Sequence, residues 1–144
     1  VSHLQHAAAW FVVLTIACTS TRDQEVSRRI SAAAEASDVS VVNVPELATF
    51  AWDRLIIFPP YTSSSQIEKE LGFSWSESDW IEKRDDVALL VFVDQGRVVR
   101  FVDHPRGRGD FSKCHRTGGF GRTEAVFHFT RDASGWRTCA IVAR

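Results

Sequence analysis

The side chains best suited to chemistry gather late in the chain. Within "DHPRGRGDFSKCHRTGGFGR", residues 103–122, stand Asp103, His104, Cys114 and His115, with His128 a few positions on. A thiol, an imidazole and a carboxylate are the parts of a cysteine nucleophile, in which a neighbouring base draws the proton from sulfur. Cys114 with His104 or His128 and Asp103 would supply those types. No nucleophile-elbow pattern surrounds any Ser or Cys, however, and such a composition arises by chance in most chains. As metal ligands, His104, Cys114, His115 and His128 fit no zinc spacing, and adjacent Cys and His rarely share one tetrahedral ion. The acid pairs Glu77 with Asp79 and Asp85 with Asp86 read as a solvated face. No catalytic residue, metal ligand or cofactor is expected.

The same stretch is basic. Residues 96–122 hold seven Lys or Arg against two Asp, whereas residues 66–86 hold seven Asp or Glu against three Lys or Arg. Arg106, Arg108, Lys113 and Arg116, set among glycines, can offer guanidinium forks and backbone N–H groups to phosphate or carboxylate. No Walker or dinucleotide pattern accompanies them, and a solvated connection is the plain alternative. "GRGDF" within the loop spells the tripeptide that animal integrins recognise, a match too short to carry weight. Phe73, Trp75 and Trp80 sit beside acids and could stack on sugar rings, but large aromatics more often pack inside.

A second unusual stretch is "FAWDRLIIFPPYT", residues 50–62, an apolar run with an acid and a base in its middle. On a strand, Arg54 shares a face with Phe50, Trp52, Ile56 and Phe58, while Asp53 shares the other with Ala51, Leu55 and Ile57. Neighbours on opposite faces cannot pair with each other. A buried charge without a partner would be very costly, so a bend at Trp52-Asp53 is expected, with Asp53 accepting backbone N–H groups and Arg54 reaching for water.

The elements that position these residues follow from periodicity. Thr21 and Gln24 form a capping box before an apolar stripe of Val26, Ile30, Ala33 and Ala34, which predicts a surface helix. Residues 39–44 and 50–58 read as strands ended by Pro45 and by Pro59-Pro60. Ser65 and Glu68 predict a second capping box and a helix of about two turns closed by Gly72. Residues 87–93 and 97–102 flank Asp94-Gln95-Gly96, and residues 124–130 and 136–142 flank "RDASG"; both read as hairpins. The expected fold is α+β: a single antiparallel sheet of five or six strands with one or two short helices on one face.

At 144 residues the chain has the length of one domain, and a net charge of −1 argues against a general nucleic-acid binder. Residues 1–18 differ from the rest. "AAAWFVVLTIAC", residues 7–18, is an uncharged apolar run too short to span a bilayer but suited to an export signal. A buried N-terminal helix or strand is the alternative. The end of this run resembles the lipobox of bacterial lipoproteins, Ala17 preceding a Cys18 that would be lipidated, although Thr15 stands where Leu is preferred. Residues 19–144 then form the globular domain. With Cys18 assigned to lipid, Cys114 and Cys139 remain; they either pair in an oxidising compartment or stay separate thiols, Cys139 buried in a strand.

"WDRLIIFPPYT", followed by a short Ile-bearing helix and "LG", resembles a family of small exported bacterial lipoproteins of unknown function. Trp52, Asp53, Arg54, Pro60, Tyr61 and Thr62 occupy the positions of its Trp-Asp-basic, apolar run, Pro-Tyr-Thr pattern, and the likeness extends loosely through "VALLVFVDQGRVV" and the final hairpin. The resemblance implies a cell-envelope location and supplies no catalytic residue. The expectation is an exported, lipid-anchored protein of the envelope, periplasmic in location. It would act as a binding module toward an envelope protein or an anionic ligand through Asp53, Arg54, Tyr61, Arg106, Arg108, Lys113 and Arg116, and touch the membrane through its lipid. The alternatives are an inhibitor or immunity-type protein acting on an exported enzyme, and a periplasmic hydrolase.

Overall fold

A computed structural model of the chain describes residues 20–142, so the export-signal reading of residues 1–18, with Cys18, lies outside the described residues. The apolar run at Val87–Asp94 organises the molecule. In this strand, β4, every residue from Val87 to Val93 is buried. A strand without a polar face must be covered on both sides. β4 pairs antiparallel with β5 (Arg97–Pro105) and with β3 (Arg54–Phe58); the short β1 (Thr21–Arg22) runs parallel to β5, and β6 (Phe120–Gly121) borders β3. The sheet order is β1-β5-β4-β3-β6.

One face of this sheet presents Leu55, Ile57, Ala88, Leu90, Phe92 and Val102, which pack against helix α1 (Gln24–Ala34) and a second sheet. That sheet is antiparallel and three-stranded, in the order β2 (Val39–Asn43), β7 (Val126–Arg131), β8 (Arg137–Ile141). The other face presents Ile56, Phe58, Leu89, Val91 and Phe101 to helix α3 (Ser64–Leu71) and to Trp75 and Ile81. A one-turn helix, α2 (Val44–Leu47), links β2 to the approach of β3.

The α+β class holds, but the single sheet becomes two, and the two main helices lie on opposite faces of the larger one. The cause is pairing at long range. β2 joins β7, with Val42 opposite Phe127, more than eighty positions away in the chain, rather than β3, which follows it. Its burial alternates, Ser40 and Val42 inward and Val39 and Val41 outward, so β2 suits a sheet with one wet face.

Both helix starts move from the expected positions. Asp23, not Thr21, caps α1, its carboxylate accepting the Val26 N–H at 3.0 Å while Thr21 enters β1. Ser63 caps α3 in a reciprocal box with Gln66, two residues before the expected Ser65. Gly72 closes α3 at φ 84°, as expected from its place after the last apolar residue.

Candidate functional site

The stretch 50–62 bends where its charges demand it. The chain turns at Asp53 and β3 starts only at Arg54. Trp52 therefore joins the α1-side core with Leu55 and Ile57 instead of sharing a face with Ile56 and Phe58. Asp53 is exposed; its Oδ2 accepts the Gln95 N–H at 2.9 Å, and its own N–H donates to Val93 O at 2.9 Å. Arg54 reaches the C-terminal end of α3, where Nη2 lies 3.5 Å from Leu71 O. A cation there meets the negative end of the helix dipole. Both charges have structural work, and they point away from each other.

The basic loop is largely turned inward. Arg106 donates from Nε and Nη2 to Asp110 Oδ2, at 3.1 and 2.9 Å, and from Nη1 to Asp85 O at 2.9 Å. Arg108 pairs with Glu35, with Nη2 3.1 Å from Oε2. Arg116 donates to Gly119 O at 2.9 and 2.7 Å, pairs with Glu124 and lies over the Phe120 ring. Lys113 alone of the four is exposed without a hydrogen bond or ion pair among the described residues.

Asp110 anchors the loop. It is 4% exposed and also accepts from the Ser112 backbone at 2.9 Å and from Trp136 Nε1 at 3.2 Å. Burial alone would raise its carboxyl, but the bonds from Arg106, Ser112 and Trp136 outweigh that and hold it below 3.8. The "RGD" tripeptide thus has its acid folded inside, closed to an outside partner.

The nucleophile set does not assemble. Cys114 Sγ is bonded to Cys139 Sγ, joining the loop to β8 with Cα atoms 6.2 Å apart. His104 is fully buried in β5, its Nδ1 3.1 Å from Ser27 Oγ on α1 and its ring edge-on to Phe111. His128 is exposed on the outer face of the three-stranded sheet, opposite Val41 and Ala140. Trp75 packs edge-to-face on Phe101, and Trp80 lies under the Arg22 guanidinium.

A different set of side chains converges. Between α3 and the loop lies an open cleft of about 540 Å³ lined by Pro59, Thr62, Gln66, Lys69, Glu70, His115, Thr117 and Gly118. That volume lies within the usual range for a small-molecule site. Gln66, Lys69 and Glu70 share one face of α3 by their i, i+3, i+4 spacing. His115 faces them from across the cleft. Its Nδ1 donates to Ile57 O at 2.7 Å, capping β3 where β6 has stopped pairing, since β6 meets only Arg54 and Leu55. Its Nε2 lies 3.1 Å from Glu70 Oε1.

Ile57 O can only accept, so Nδ1 is the donor of that bond. Glu70 Oε2 is left over: it is buried and receives no hydrogen bond from the described residues. Lys69 beside it makes no ion pair among the described residues.

Of the residues singled out from sequence, His115, first considered as a metal ligand, and Thr62 of the Pro-Tyr-Thr pattern line this cleft; Asp53, Arg54, Arg106, Arg108 and Arg116 are tied into the fold. Tyr61 lies between two lining residues in sequence and is 61% exposed, with its backbone left-handed at φ 63°. Glu70 and Lys69 could have been found from the helical spacing of 66, 69 and 70, but nothing local marks their partner across the cleft. Among the described residues, no three His, Cys, Asp or Glu side chains converge as a metal set. Comparison with family models, with curated proteins and with solved structures finds no match to this chain.

Proposed function

We propose that this chain is an exported, lipid-anchored bacterial envelope protein that works as a binding module, with the α3–loop cleft as its ligand site. The observation that carries the binding half is the Glu70–His115 pair. It sets an imidazole and a carboxylate 3.1 Å apart in a cleft of about 540 Å³, with the exposed Lys69 on the same helix face. The location half is supported by the apolar run ending at Cys18, by the likeness of "WDRLIIFPPYT" to small exported lipoproteins, and by the Cys114–Cys139 bond, a type that persists in oxidising compartments.

Two measurements test the halves separately. Intact mass and palmitate labelling of the protein from a bacterial membrane fraction should give an acylated chain beginning at Cys18. Retention of residues 1–17 would remove the export reading. For binding, amide chemical shifts of Gln66, Lys69, Glu70 and His115 should move together when a small-molecule library is titrated. Shifts that settle elsewhere on the protein would refute the cleft.

A second reading, an inhibitor acting on an exported enzyme, is favoured by one observation. Tyr61 holds an exposed aromatic ring on a backbone conformation that bulky side chains avoid, and such strain persists where a side chain must be presented. Elsewhere on the surface the Arg106 guanidinium lies 5.8 Å from the half-exposed Trp136 ring. Tyr, Trp and Arg are the residue types that dominate protein interfaces. Tyr61→Asn should keep or raise the melting temperature, since Asn tolerates this backbone, while abolishing inhibition of the enzyme. Unchanged inhibition would discard this reading.

A further inference from the structure

We propose that the free edge of β2 pairs antiparallel with β2 of a second copy of this chain, about a two-fold axis at Val41. The two three-stranded sheets then become one continuous sheet. None of the residues lining the α3–loop cleft belongs to β2, β7 or β8.

The backbone comes first. β2 is an edge strand, in the order β2-β7-β8. Arg131 N–H donates to Asp38 O and Val44 N–H to Ala125 O, both at 3.0 Å. By the alternation of an antiparallel ladder, Ser40 and Val42 also turn their backbone groups to β7, and Val39, Val41 and Asn43 turn theirs outward. Among the described residues no hydrogen bond reaches the outward N–H or C=O of Val41. The Val39 C=O accepts the Ser37 hydroxyl and keeps a lone pair for another donor.

Such an edge is a template for a further strand, and proteins blunt it with Lys, Pro, a bulge or a very short strand. β2 has none of these: it runs Val39–Asn43 as VSVVN, in unbroken register with β7. Other edges of this fold are managed. The large sheet ends in the two-residue β1 and β6. Along the outer edge of β8, Asp110 N–H donates to Arg137 O at 2.9 Å and Asp110 O accepts the Cys139 N–H at 3.0 Å.

The side chains select the partner. Val41, His128 and Ala140 stand side by side on the outer face, with Val39, Thr130 and Thr138 in the next row. These rows hold no Asp, Glu, Lys or Arg, and Val39 and Val41 are 66% and 53% exposed. A charged strand added here would set its charges against valine, whereas β2 turned end for end meets an uncharged, β-branched copy of itself. Val41 N–H of each copy then donates to Val41 C=O of the other, and Asn43 N–H to Val39 C=O. The two Val41 side chains pack together, and Val39 lies beside Asn43 of the other copy. Within Val39–Asn43 no like charges face each other in this register.

The test is sedimentation equilibrium of the disulfide-bonded protein from about 1 to 500 μM, the range that brackets a small interface. A dimer should form, and hydrogen exchange at the Val41 amide should slow about tenfold or more between the lowest and highest concentrations. Val41→Pro deletes only an outward N–H and should leave a folded monomer. Should that variant fail to fold, Val41→Lys places two ammonium groups together at the axis and should weaken the dimer about tenfold or more. His128→Lys, on the middle strand, should still dimerise. A monomer throughout the range, or a Val41 amide whose exchange ignores concentration, would overturn the proposal. So would a dimer that survives Val41→Pro but not His128→Lys, since the contact would then lie on the face of the sheet and not on its edge.

Discussion

The carboxylate of Asp53 holds the backbone N–H of Gln95 at 2.9 Å, across forty-two positions of chain. Gln95 and Gly96 form the two-residue loop between β4 and β5, with φ of 49° and 74°. That is the backbone of a type I′ turn, which favours Asn or Gly at its first central position, not Gln. Asp53 braces a turn that its own sequence supports only in part. Asp53→Ala should therefore destabilise the protein by about 1 kcal/mol, lowering the melting temperature by a few degrees. Asp53→Asn, which keeps an acceptor oxygen, should cost less. Hydrogen exchange at the Gln95 amide should accelerate in the Ala variant; an amide protected as in the wild type would contradict the brace.

Acid should weaken the fold in two separate windows. Burial pushes the His104 ring down from 6.5 to about 4. The nearby backbone of Arg108 and Gly109 offsets part of this without forming a hydrogen bond to Nε2. The unfolded ring takes up a proton more readily, so stability is full above pH 6.5 and declines as pH falls toward about 4. For Asp23 and Asp110, burial alone would raise the carboxyls. Hydrogen bonds from Val26 and Arg100 to the first, and from Arg106, Ser112 and Trp136 to the second, outweigh it and hold both below 3.8. Their contribution is present above that value and lost as pH falls below it. Urea midpoints measured against pH should show both declines. His104→Phe should flatten the upper one and leave the lower in place; a wild-type midpoint level between pH 6.5 and 4 would rule out the buried-histidine account.

Reduction should loosen the loop that carries His115. The Cys114–Cys139 bond closes a segment of 25 residues, for which chain entropy gives a stabilisation of about 3 kcal/mol. Cys114→Ser with Cys139→Ser should lower the denaturant midpoint accordingly. Because Cys114 precedes His115 directly, the amide shifts of Glu70 should change as well. A double variant as stable as the parent would show that Asp110 and its partners hold the loop unaided.

Two adjacent glycines should respond very differently to alanine. Gly118 and Gly119 both have left-handed backbones, at φ 82° and 74°. A Cβ on Gly118 would meet nothing within 4 Å, whereas one on Gly119 would stand 2.4 Å from Leu55 O and 2.9 Å from the Ile56 side chain. Gly118→Ala should cost about 1 kcal/mol for its conformation alone. Gly119→Ala must also displace the loop from β3, and its thermal shift should be at least twice as large. Equal shifts would mean that the loop does not lie against β3 this closely.

Local chemistry by itself determined the strands of both hairpins, the apolar faces of α1 and α3, the Gly72 stop and the need for a bend at Asp53. Each follows from residues within a few positions of one another. The order of elements pointed to helices on one face, whereas the fully buried β4 is covered on both. Tertiary structure decided the rest. The pairing of β2 with β7 depends on apolar positions more than eighty residues apart, and either strand could have paired elsewhere by its own pattern. The cleft is of the same kind. Glu70 and His115 stand forty-five positions apart, and they meet because His115 must satisfy the Ile57 carbonyl that β6 leaves open. An unpaired backbone group at a strand edge is a property of the assembled sheet, so no stretch of sequence could have shown that the histidine would be drawn there.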